Sequence, residues 1–401
     1  MALAESERVK VSLAADRCLH KVDKGSGCAI CVNACPANAI AFEEDGGPRL
    51  ISHDDDICVK CGLCLRLCPV EAFTGDNGVA TLLAFVARQE KRTIVELACA
   101  LNPNKEQGPP QANLVVNTGA CLAALGPSAI MALMALGVAH VILRVDFCHS
   151  CPLAQSRVEI DKSVDQVASL IQAGESPGSP VTLLDMVNAD WPKRFVTTVK
   201  APPRSRRDFF RALTTTSETP QEVRQLMLVE KPEEGKHPPT ERVRLLKAAQ
   251  FIPTERLQSG PLELFQSTLL AADEKCTACG VCARACPTGA LRFTVDHEDH
   301  YYLSLATGAC TDCGVCRNLC EPGALQKVGA PILNDWLAEE PHMLRSGNLK
   351  RCKRCGAGFD SRSDSDLCQV CDFRLRNPFG SRLPKGFKRQ KEAPERDDVR
   401  H

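Results

Sequence analysis

The sequence is poor in several features that would indicate particular classes of function. Aromatic residues make up 4% of the chain, and Lys plus Arg equals Asp plus Glu at 49 each. This balance gives no long-range field that would favour nucleic acid or an anionic membrane. No apolar run approaches the ~20 residues of a membrane span, and the N-terminal MALAESERVKVSL has no apolar signal region. We therefore expect a cytoplasmic protein with no membrane span and no nucleic-acid partner.

Sequence signatures of substrate chemistry are also missing. No nucleophile–base pair, glycine-rich phosphate loop or flavin fingerprint is visible in the chain. The motif SRRDFF at 205–210 looks like a twin-arginine export signal, but LTTTSETP follows it instead of an apolar region. Because the motif is also internal, it does not predict export. Its surroundings, 200–211, fit either a basic docking segment or a solvated linker.

Cysteine, by contrast, is abundant, with 24 copies in 401 residues. Thiols in this number, in a chain with no secretory signal, indicate a reducing compartment and metal ligation rather than disulfides. All of them fall into six groups of four with none left over. The sequence therefore predicts six sites, each with four thiolate ligands.

Two stretches of the chain share one arrangement of cysteines. Cys276–Cys320 contains the spacing C-x2-C-x2-C-x3-C twice. Residues 1–80 form a second copy, in which Cys58–Cys68 has the full spacing but nine residues, LHKVDKGSG, separate Cys18 from Cys28. This polar insertion can loop out without disturbing the fold. Three alternatives to iron–sulfur sites with four thiolates stay open: four-thiolate zinc sites, thiols that are merely buried, and a [3Fe–4S] cluster that does not use Cys18.

Each copy also has a predicted hairpin between its cysteine runs. The strands are AIAF and PRLISH in the first copy, and ALRFTV and YYLSLA in the second. Alternating strands around Gly or Asp turns indicate small antiparallel sheets.

The two copies resemble the two-cluster bacterial ferredoxins. In that family three cysteines of a run bind one [4Fe–4S] cube and the fourth binds the other cube. One departure from the family is Glu321, which follows Cys320 where the family has proline. The resemblance implies four cubes. Their ligand sets would be Cys18, Cys28, Cys31 and Cys68; Cys58, Cys61, Cys64 and Cys35; Cys276, Cys279, Cys282 and Cys320; and Cys310, Cys313, Cys316 and Cys286.

Residues 81–195 have a different character, because β-rich apolar runs alternate with helical periods. This alternation suggests a small parallel α/β sheet, where ligands sit beyond the carboxyl ends of the strands. Four cysteines follow strand ends and would gather there: Cys99, Cys121, Cys148 and Cys151. They fit either a further iron–sulfur site or buried structural thiols. His149 lies in the same loop and is either a replacement ligand or solvated.

This middle region resembles the iron–sulfur delta subunit of methyl-viologen-reducing hydrogenases. That resemblance implies a [2Fe–2S] cluster held by the same four cysteines.

Near the C-terminus, 345–380 contains two cysteine pairs spaced C-x2-C-x12-C-x2-C. Two such knuckles fix a tetrahedral ion and indicate a structural zinc ribbon, with rubredoxin-type iron as the rival. The ligands would be Cys352, Cys355, Cys368 and Cys371.

The predicted fold class is α+β multidomain, with two ferredoxin-like modules flanking a small α/β domain with a parallel sheet, plus a C-terminal zinc ribbon. The stretch VRLLKAAQFI could form a helix within the predicted linker. The domains we expect are a two-cluster module at 1–80, the α/β domain at 81–195, a charged linker at 196–262, a second two-cluster module at 263–335, the ribbon at 345–380 and a disordered tail at 381–401.

The order of parts resembles cytoplasmic multi-cluster proteins that accompany formate dehydrogenases. Cys18–Pro36, the stretch CLAALGPSAIMALMALG and the terminal ribbon carry this likeness. Several cubes in one chain make an electron conduit, so we expect a non-catalytic electron-transfer subunit or carrier that serves a redox partner of the formate dehydrogenase or hydrogenase type. The alternatives are a redox enzyme or an enzyme-maturation factor that uses the middle cysteines.

Overall fold

The structure is a computed structural model that describes residues 11–43, 50–90, 92–171, 179–188, 190–199, 221–229 and 235–377. The proposed docking segment at 200–211 and the predicted tail at 381–401 lie outside the described residues. No helix in the described part of the chain has both the length and the apolar character that a membrane crossing requires.

The N-terminal module is a pair of small antiparallel sheets around short helices. Its outer strands, Val11–Leu13 and Phe73–Gly75, pair with each other, and the predicted hairpin is present as Ile40–Phe42 and Ile51–His53. The helices are Leu19–Val22, Ile30–Ala34 and Leu63–Leu67. A small core containing Val70 and Phe73 closes the module around its cysteines.

The C-terminal module repeats this arrangement. Its outer strands are Leu269–Ala272 and Leu325–Gly329, and its hairpin is Leu291–Val295 with His300–Leu305. The helices Val281–Ala285 and Val315–Asn318 occupy the positions of the two helices that follow cysteines in the first module. The prediction of two ferredoxin-like modules is therefore confirmed at the level of architecture.

The middle domain has the predicted parallel sheet, which has five strands. Across the sheet they lie in the order Val181–Leu184, His140–Arg144, Ile94–Ala98, Leu114–Asn117 and Thr197–Thr198. The packed helices are Val79–Ala87, Gly126–Ala135 and Arg157–Leu170. Gly126–Ala135 is apolar on all sides, and a helix of this kind is buried, as it is here.

An ion network is buried in this domain. The Arg144 guanidinium is fully buried and donates to the carboxylates of Glu96 at 2.8 Å and Asp146 at 3.0 Å. Arg194 donates to the same Glu96 carboxylate at 2.7 Å. Each buried charge thus has partners of opposite charge, which a low-dielectric interior requires.

The predicted linker at 196–262 contributes part of this core. All of the stretch VRLLKAAQFI except its last residue lies in a helix, Thr240–Phe251, which packs against Gly126–Ala135 and buries Leu245. Another helix, Gln221–Met227, packs beside it. Charged side chains of the longer helix point into the protein: the Glu241 carboxylate accepts from the Ser128 hydroxyl at 2.6 Å. This part of the chain is therefore a core element, although its charged sequence is typical of a solvated one.

The cysteine knuckles at the C-terminus are joined to the C-terminal module by a continuous sheet. Strand His342–Arg351 pairs with His300–Leu305 on one side and with Gly358–Asp360 on the other. The helix Leu333–Leu337 precedes it, and Gln369–Arg376 closes the knuckles. The Tyr301 hydroxyl donates to the Asp360 carboxylate at 2.9 Å, which ties the knuckles to the module.

Candidate metal centres

Short loops position the cysteines of each ferredoxin run, and left-handed residues turn the chain within them. Gly62, Gly280 and Gly314 follow a cysteine with φ of +80°, +65° and +78°. Lys60 and Asp312 each precede a cysteine and are also left-handed, at φ of 53° and 46°. Such backbone strain in non-glycine residues persists where surrounding contacts hold it, often at functional sites.

In the N-terminal module the thiols form two groups that cross between runs. Burial raises the pKa of the Cys31 thiol to about 12, and repulsion from Cys68, Cys28 and Cys18 adds to the effect. Burial likewise raises the pKa of the Cys64 thiol, with Cys61, Cys58 and Cys35 as its charged neighbours. The fourth cysteine of each run therefore lies with the first three of the other run.

The C-terminal module shows the same crossing. Burial raises the pKa of the Cys282 thiol to about 12, and Cys279, Cys276 and Cys320 are its charged neighbours. Burial also raises the pKa of the Cys313 thiol to about 11, with Cys286 and Cys310 beside it. The repulsion that Cys316 receives from Cys282 shows that the two groups of this module are adjacent.

The donor sets of these groups fit iron–sulfur cubes. Cavities of about 20 to 30 Å³ lie against three of them, lined by cysteines of both runs of a module. Backbone N–H groups also donate to the fourth-position sulfurs: Ala39 to Cys35 and Ala72 to Cys68, each at 3.2 Å. Four crowded thiolates repel one another, so they require a cationic core, and N–H donors to sulfur are among the groups that tune its potential.

The middle quartet surrounds a larger space. All four of its cysteines line one cavity of about 350 Å³ at the carboxyl edge of the parallel sheet, and His149 is not among the lining residues. Burial raises the pKa of the Cys121 thiol to about 12, and the neighbours that add repulsion are Cys99, Cys61 and Cys148. The quartet is therefore assembled from three strand ends, as the alternation of strands and helices predicted.

The C-terminal knuckles have a tighter geometry. The sulfur atoms of four cysteines lie within 4.8 Å of one another: Cys352, Cys355, Cys368 and Cys371. The Cys368 N–H donates to the Cys352 sulfur at 3.3 Å, and this bond lowers the pKa of the Cys352 thiol to about 6. The lowered pKa favours the thiolate form of Cys352, which binds metal. With three other sulfurs beside it, this thiolate suits the binding of one tetrahedral metal ion.

Contacts between the N-terminal module and the middle domain bring their thiols close together. Cys61 of the N-terminal module lines the middle cavity together with the middle quartet, and Lys60 lies beside it. A Cβ added to Gly62 would lie 3.0 Å from the Ala124 side chain, so the module and the middle domain meet closely. The cysteine spacing gave no signal for this proximity, because it arises from tertiary packing.

The two modules also touch each other. Val315 and Cys313 of the C-terminal module pack into the cysteine core of the N-terminal module. The Asn318 side chain donates to the Asp23 carboxylate at 2.9 Å. Asp23 lies in the insertion between Cys18 and Cys28, so this loop forms the contact with the other copy.

Comparison with known proteins agrees with this geometry. Residues 26–72 and 275–324 match the family described as 4Fe-4S dicluster domain. A ferredoxin of Methanothermococcus thermolithotrophicus is 39% identical over 64 residues, which are 16% of this chain and 93% of that protein.

Larger proteins match over shorter segments. One subunit of the tetrathionate reductase of Archaeoglobus fulgidus is 48% identical over 42 residues, 10% of this chain and 19% of that subunit. The polyferredoxin-like subunit of an aliphatic sulfonate oxidoreductase of Pyrococcus furiosus is 41% identical over 39 residues, 10% of this chain and 21% of that subunit. The chain thus spans about a fifth of these two relatives.

Proposed function

Because the chain belongs to the family of 4Fe-4S dicluster ferredoxins, we propose that it is an electron relay whose sites form one series. The chain is an iron–sulfur electron-transfer protein with two dicluster modules, and these imply four [4Fe–4S] clusters. The observation that carries the relay is the position of Cys61, which belongs to a ferredoxin run and lines the middle cavity. A single thiolate thus links two sites.

The proposed series begins at the cube of Cys276, Cys279, Cys282 and Cys320. It continues through the cube of Cys310, Cys313, Cys316 and Cys286 to the cube of Cys18, Cys28, Cys31 and Cys68 in the other module. It then passes the cube of Cys58, Cys61, Cys64 and Cys35 and ends at the middle quartet. Cys279 is exposed, whereas the other cysteines of the ferredoxin runs are at least partly covered, so a partner has access to the first cube.

Electron paramagnetic resonance of the fully reduced holoprotein tests the series. Neighbouring paramagnetic clusters couple magnetically, so we expect spectra broadened by interaction between cubes. Cys61→Ser should remove the fourth cube of the series and simplify the spectrum of what remains. Four uncoupled signals in the wild type would argue against a continuous relay.

We propose a redox enzyme of the formate dehydrogenase or hydrogenase type as the partner. The names of two relatives support a redox-enzyme partner in general, since they are subunits of a reductase and an oxidoreductase. The choice of this type of enzyme rests on the resemblance between the order of domains in this chain and that of proteins that accompany formate dehydrogenases. Anaerobic electron transfer from reduced formate dehydrogenase and from hydrogenase, each followed by cluster absorbance, tests it. Reduction no faster than by a small-molecule donor would contradict the proposal.

We propose a [2Fe–2S] cluster for the middle quartet. Its four thiolates converge on one cavity, and the choice of a two-iron cluster rests on the resemblance of this region to the hydrogenase delta subunit. Anaerobic iron and sulfide quantitation should give about eighteen irons, sixteen from the cubes and two from this cluster. Cys121→Ser should remove about two irons; an unchanged count would assign the quartet to structural thiols.

We propose a zinc ion for Cys352, Cys355, Cys368 and Cys371. The four sulfurs lie close enough for one tetrahedral ion. Cys355→Ser should lower zinc from one per chain to none while the cube signals persist. Loss of iron instead of zinc would favour a rubredoxin-type site.

A redox enzyme is the second candidate function, and the size of the middle cavity favours it. This cavity of about 350 Å³ is more than ten times the 20 to 30 Å³ beside the cubes, so a small molecule has room next to a cluster. Protection of the Cys148 thiol from alkylation by small redox substrates, absent without them, would support an enzyme. Equal alkylation with and without substrates would favour the relay alone.

A further inference from the structure

A second large cavity lies away from the middle quartet, where four parts of the chain meet. It has a volume of about 480 Å³, which is within the range of small-molecule sites. Its walls come from the N-terminal module, the helices Arg157–Leu170 and Thr240–Phe251, and the C-terminal module. Its lining includes Cys68 but no complete cysteine group that we assign to a cluster. We name it the junction cavity.

Two buried arginines line the junction cavity, and each keeps one N–H group without a partner. Arg66 and Arg242 are both 7% exposed. The Nε of Arg66 and the Nη1 of Arg242 are buried and have no hydrogen-bond acceptor among the described residues. An unsatisfied buried donor on a charged group is costly, so an acceptor that reaches past the cavity wall to these covered atoms would be stabilised.

The remaining contacts hold both guanidinium groups in place. Arg66 donates to Glu159 at 3.0 Å, and Arg242 donates to the Gln266 carbonyl at 2.6 Å. The Arg242 guanidinium also lies 4.2 Å from the centre of the Trp336 ring. Because these interactions fix the side chains, a ligand would meet donors that are already oriented.

Apart from the Cys68 thiolate, the charged side chains that line the junction cavity are positive on balance. Arg66, Arg242 and Lys162 line it, against Glu159 and Glu241. Both carboxylates are already engaged, Glu159 by Arg66 and Lys162 and Glu241 by Ser128. The walls also present apolar groups, including Leu67, Pro127, Val158, Leu264 and Phe265.

We propose that the junction cavity binds a small organic anion, with a carboxylate or phosphate group on the two arginines and an apolar body against the walls. Guanidinium groups bind both kinds of anion through paired N–H donors. The apolar walls favour an anion with a hydrocarbon part over a bare inorganic ion.

The position of the junction cavity couples this ligand to electron transfer. Cys68 lines it, and so does Thr311, which lies between Cys310 and Cys313. A bound anion beside two cubes disfavours the negative charge that reduction adds to them. By reciprocity, reduction then weakens anion binding by the same factor. A tenfold difference in affinity corresponds to a 59 mV lower potential for a one-electron couple. This coupling rests on the proposed cube ligation, whereas binding itself does not.

The binding test uses anaerobically purified, oxidised holoprotein. Benzoate, phenyl phosphate and inorganic phosphate are each titrated by isothermal calorimetry. Affinity for a carboxylate is thereby measured separately from affinity for a phosphate. We expect one of the two aromatic anions to bind at least tenfold more tightly than inorganic phosphate. No binding of any of the three, or equal binding of all three, would overturn the proposal.

Variants locate the site. Arg242→Gln should weaken binding about tenfold, because it removes a charged donor. Lys162→Gln is a second variant, since this side chain is 61% exposed and its loss does not disturb the core. Arg351→Gln is the control, because this exposed side chain pairs with Asp299 and does not line the cavity. Binding that is unchanged in both Arg242→Gln and Lys162→Gln would disprove the site.

Redox titration then tests the coupling. The anion that binds should lower the potential of at least one cube in the wild type and have less effect in Lys162→Gln. An unchanged potential, with calorimetric binding intact, would disprove the coupling and leave the binding site in place. Absence of cubes would instead refute the proposed relay, so the two failures are distinguishable.

Discussion

The two ferredoxin modules have the same cysteine spacing and pairing of strands, yet corresponding edges meet different neighbours. Cys61 and Cys313 are equivalent in the two copies, each being the second cysteine of the later run. Cys61 faces the middle cavity, whereas Cys313 packs against the N-terminal module. Each module therefore presents the same edge to a neighbour, the N-terminal module to the middle domain and the C-terminal module to the N-terminal module, so the modules are arranged head to tail.

The opposite edges differ because of the insertion. In the N-terminal copy the loop between Cys18 and Cys28 supplies Asp23, which binds the other module. The C-terminal copy has no insertion, and its corresponding edge leaves Cys279 exposed. A loop change that leaves the cluster motif intact thus separates the covered edge of one module from the accessible edge of the other.

The largest expected effect comes from removing a fourth-position cysteine. Cys68→Ala should cost about four irons, and it should expose the thiols of Cys18, Cys28 and Cys31 because their cube loses a ligand. Native alkylation followed by mass spectrometry identifies the exposed thiols. Cys320→Ala is the matched variant in the other copy and should expose Cys276, Cys279 and Cys282. Alkylation of Cys58 and Cys64 in Cys68→Ala would contradict the crossed ligand sets.

Alanine at two equivalent glycines should separate backbone strain from contact between parts. Gly62 and Gly314 have similar φ, +80° and +78°, so both changes should cost about 1 kcal/mol of unfolding free energy for the left-handed backbone. Gly62→Ala should cost about 1 kcal/mol more, because its Cβ would lie 3.0 Å from Ala124. At Gly314 the nearest atom is the end of the Arg317 side chain at 3.7 Å.

Anaerobic denaturant unfolding, followed by circular dichroism, measures the difference between the two glycine variants. Equal losses of stability would show that the junction with the middle domain accommodates the added methyl group without strain.

The hydrogen bond between the two modules should contribute only modestly to stability. Asn318→Ala removes the 2.9 Å bond to Asp23 and should destabilise the junction by about 1 kcal/mol. Hydrogen exchange in the loop between Cys18 and Cys28 should become faster, while iron content stays the same. Unchanged exchange would mean that apolar packing around Val315 holds the junction alone.

An effect of similar size, but confined to the knuckles, is expected where they meet the C-terminal module. Tyr301→Phe removes the buried hydroxyl that donates to Asp360 and should cost about 1 kcal/mol. Tyr302→Phe is the control, because its hydroxyl donates to Asp296 across a longer 3.3 Å. Limited proteolysis of the knuckles should accelerate in the first variant and not in the second. The reverse order would refute the role of the Asp360 bond.

Several of these features could be predicted from the sequence and others could not, and the difference has a physical cause. The cysteine spacing, the two hairpins and the parallel sheet are local patterns, so they could be recognised without a structure. The burial of Arg242 and Arg244 could not be recognised, because charged side chains in a polar stretch are typical of a solvated helix. Their partners, such as Ser128 and Trp336, lie far away in the chain.

The same limit applies to the order of the sites. Asp23 and Asn318 are 295 residues apart, and nothing in either segment indicates that they meet. The closeness of Cys61 to the middle quartet likewise depends on how Gly62 packs against Ala124. Spacing predicts which cysteines could share a cluster; the fold determines which clusters are neighbours.

The buried ion network of Arg144, Glu96 and Asp146 bears on how the protein matures. The middle sheet is held by these pairs and by an apolar core that includes Leu245 and Trp336, none of which needs a metal. The ferredoxin modules have small cores built largely around their cysteines, so their folding depends on cluster insertion. We expect the middle domain to form first during biogenesis and to serve as a scaffold on which the modules receive iron and sulfide.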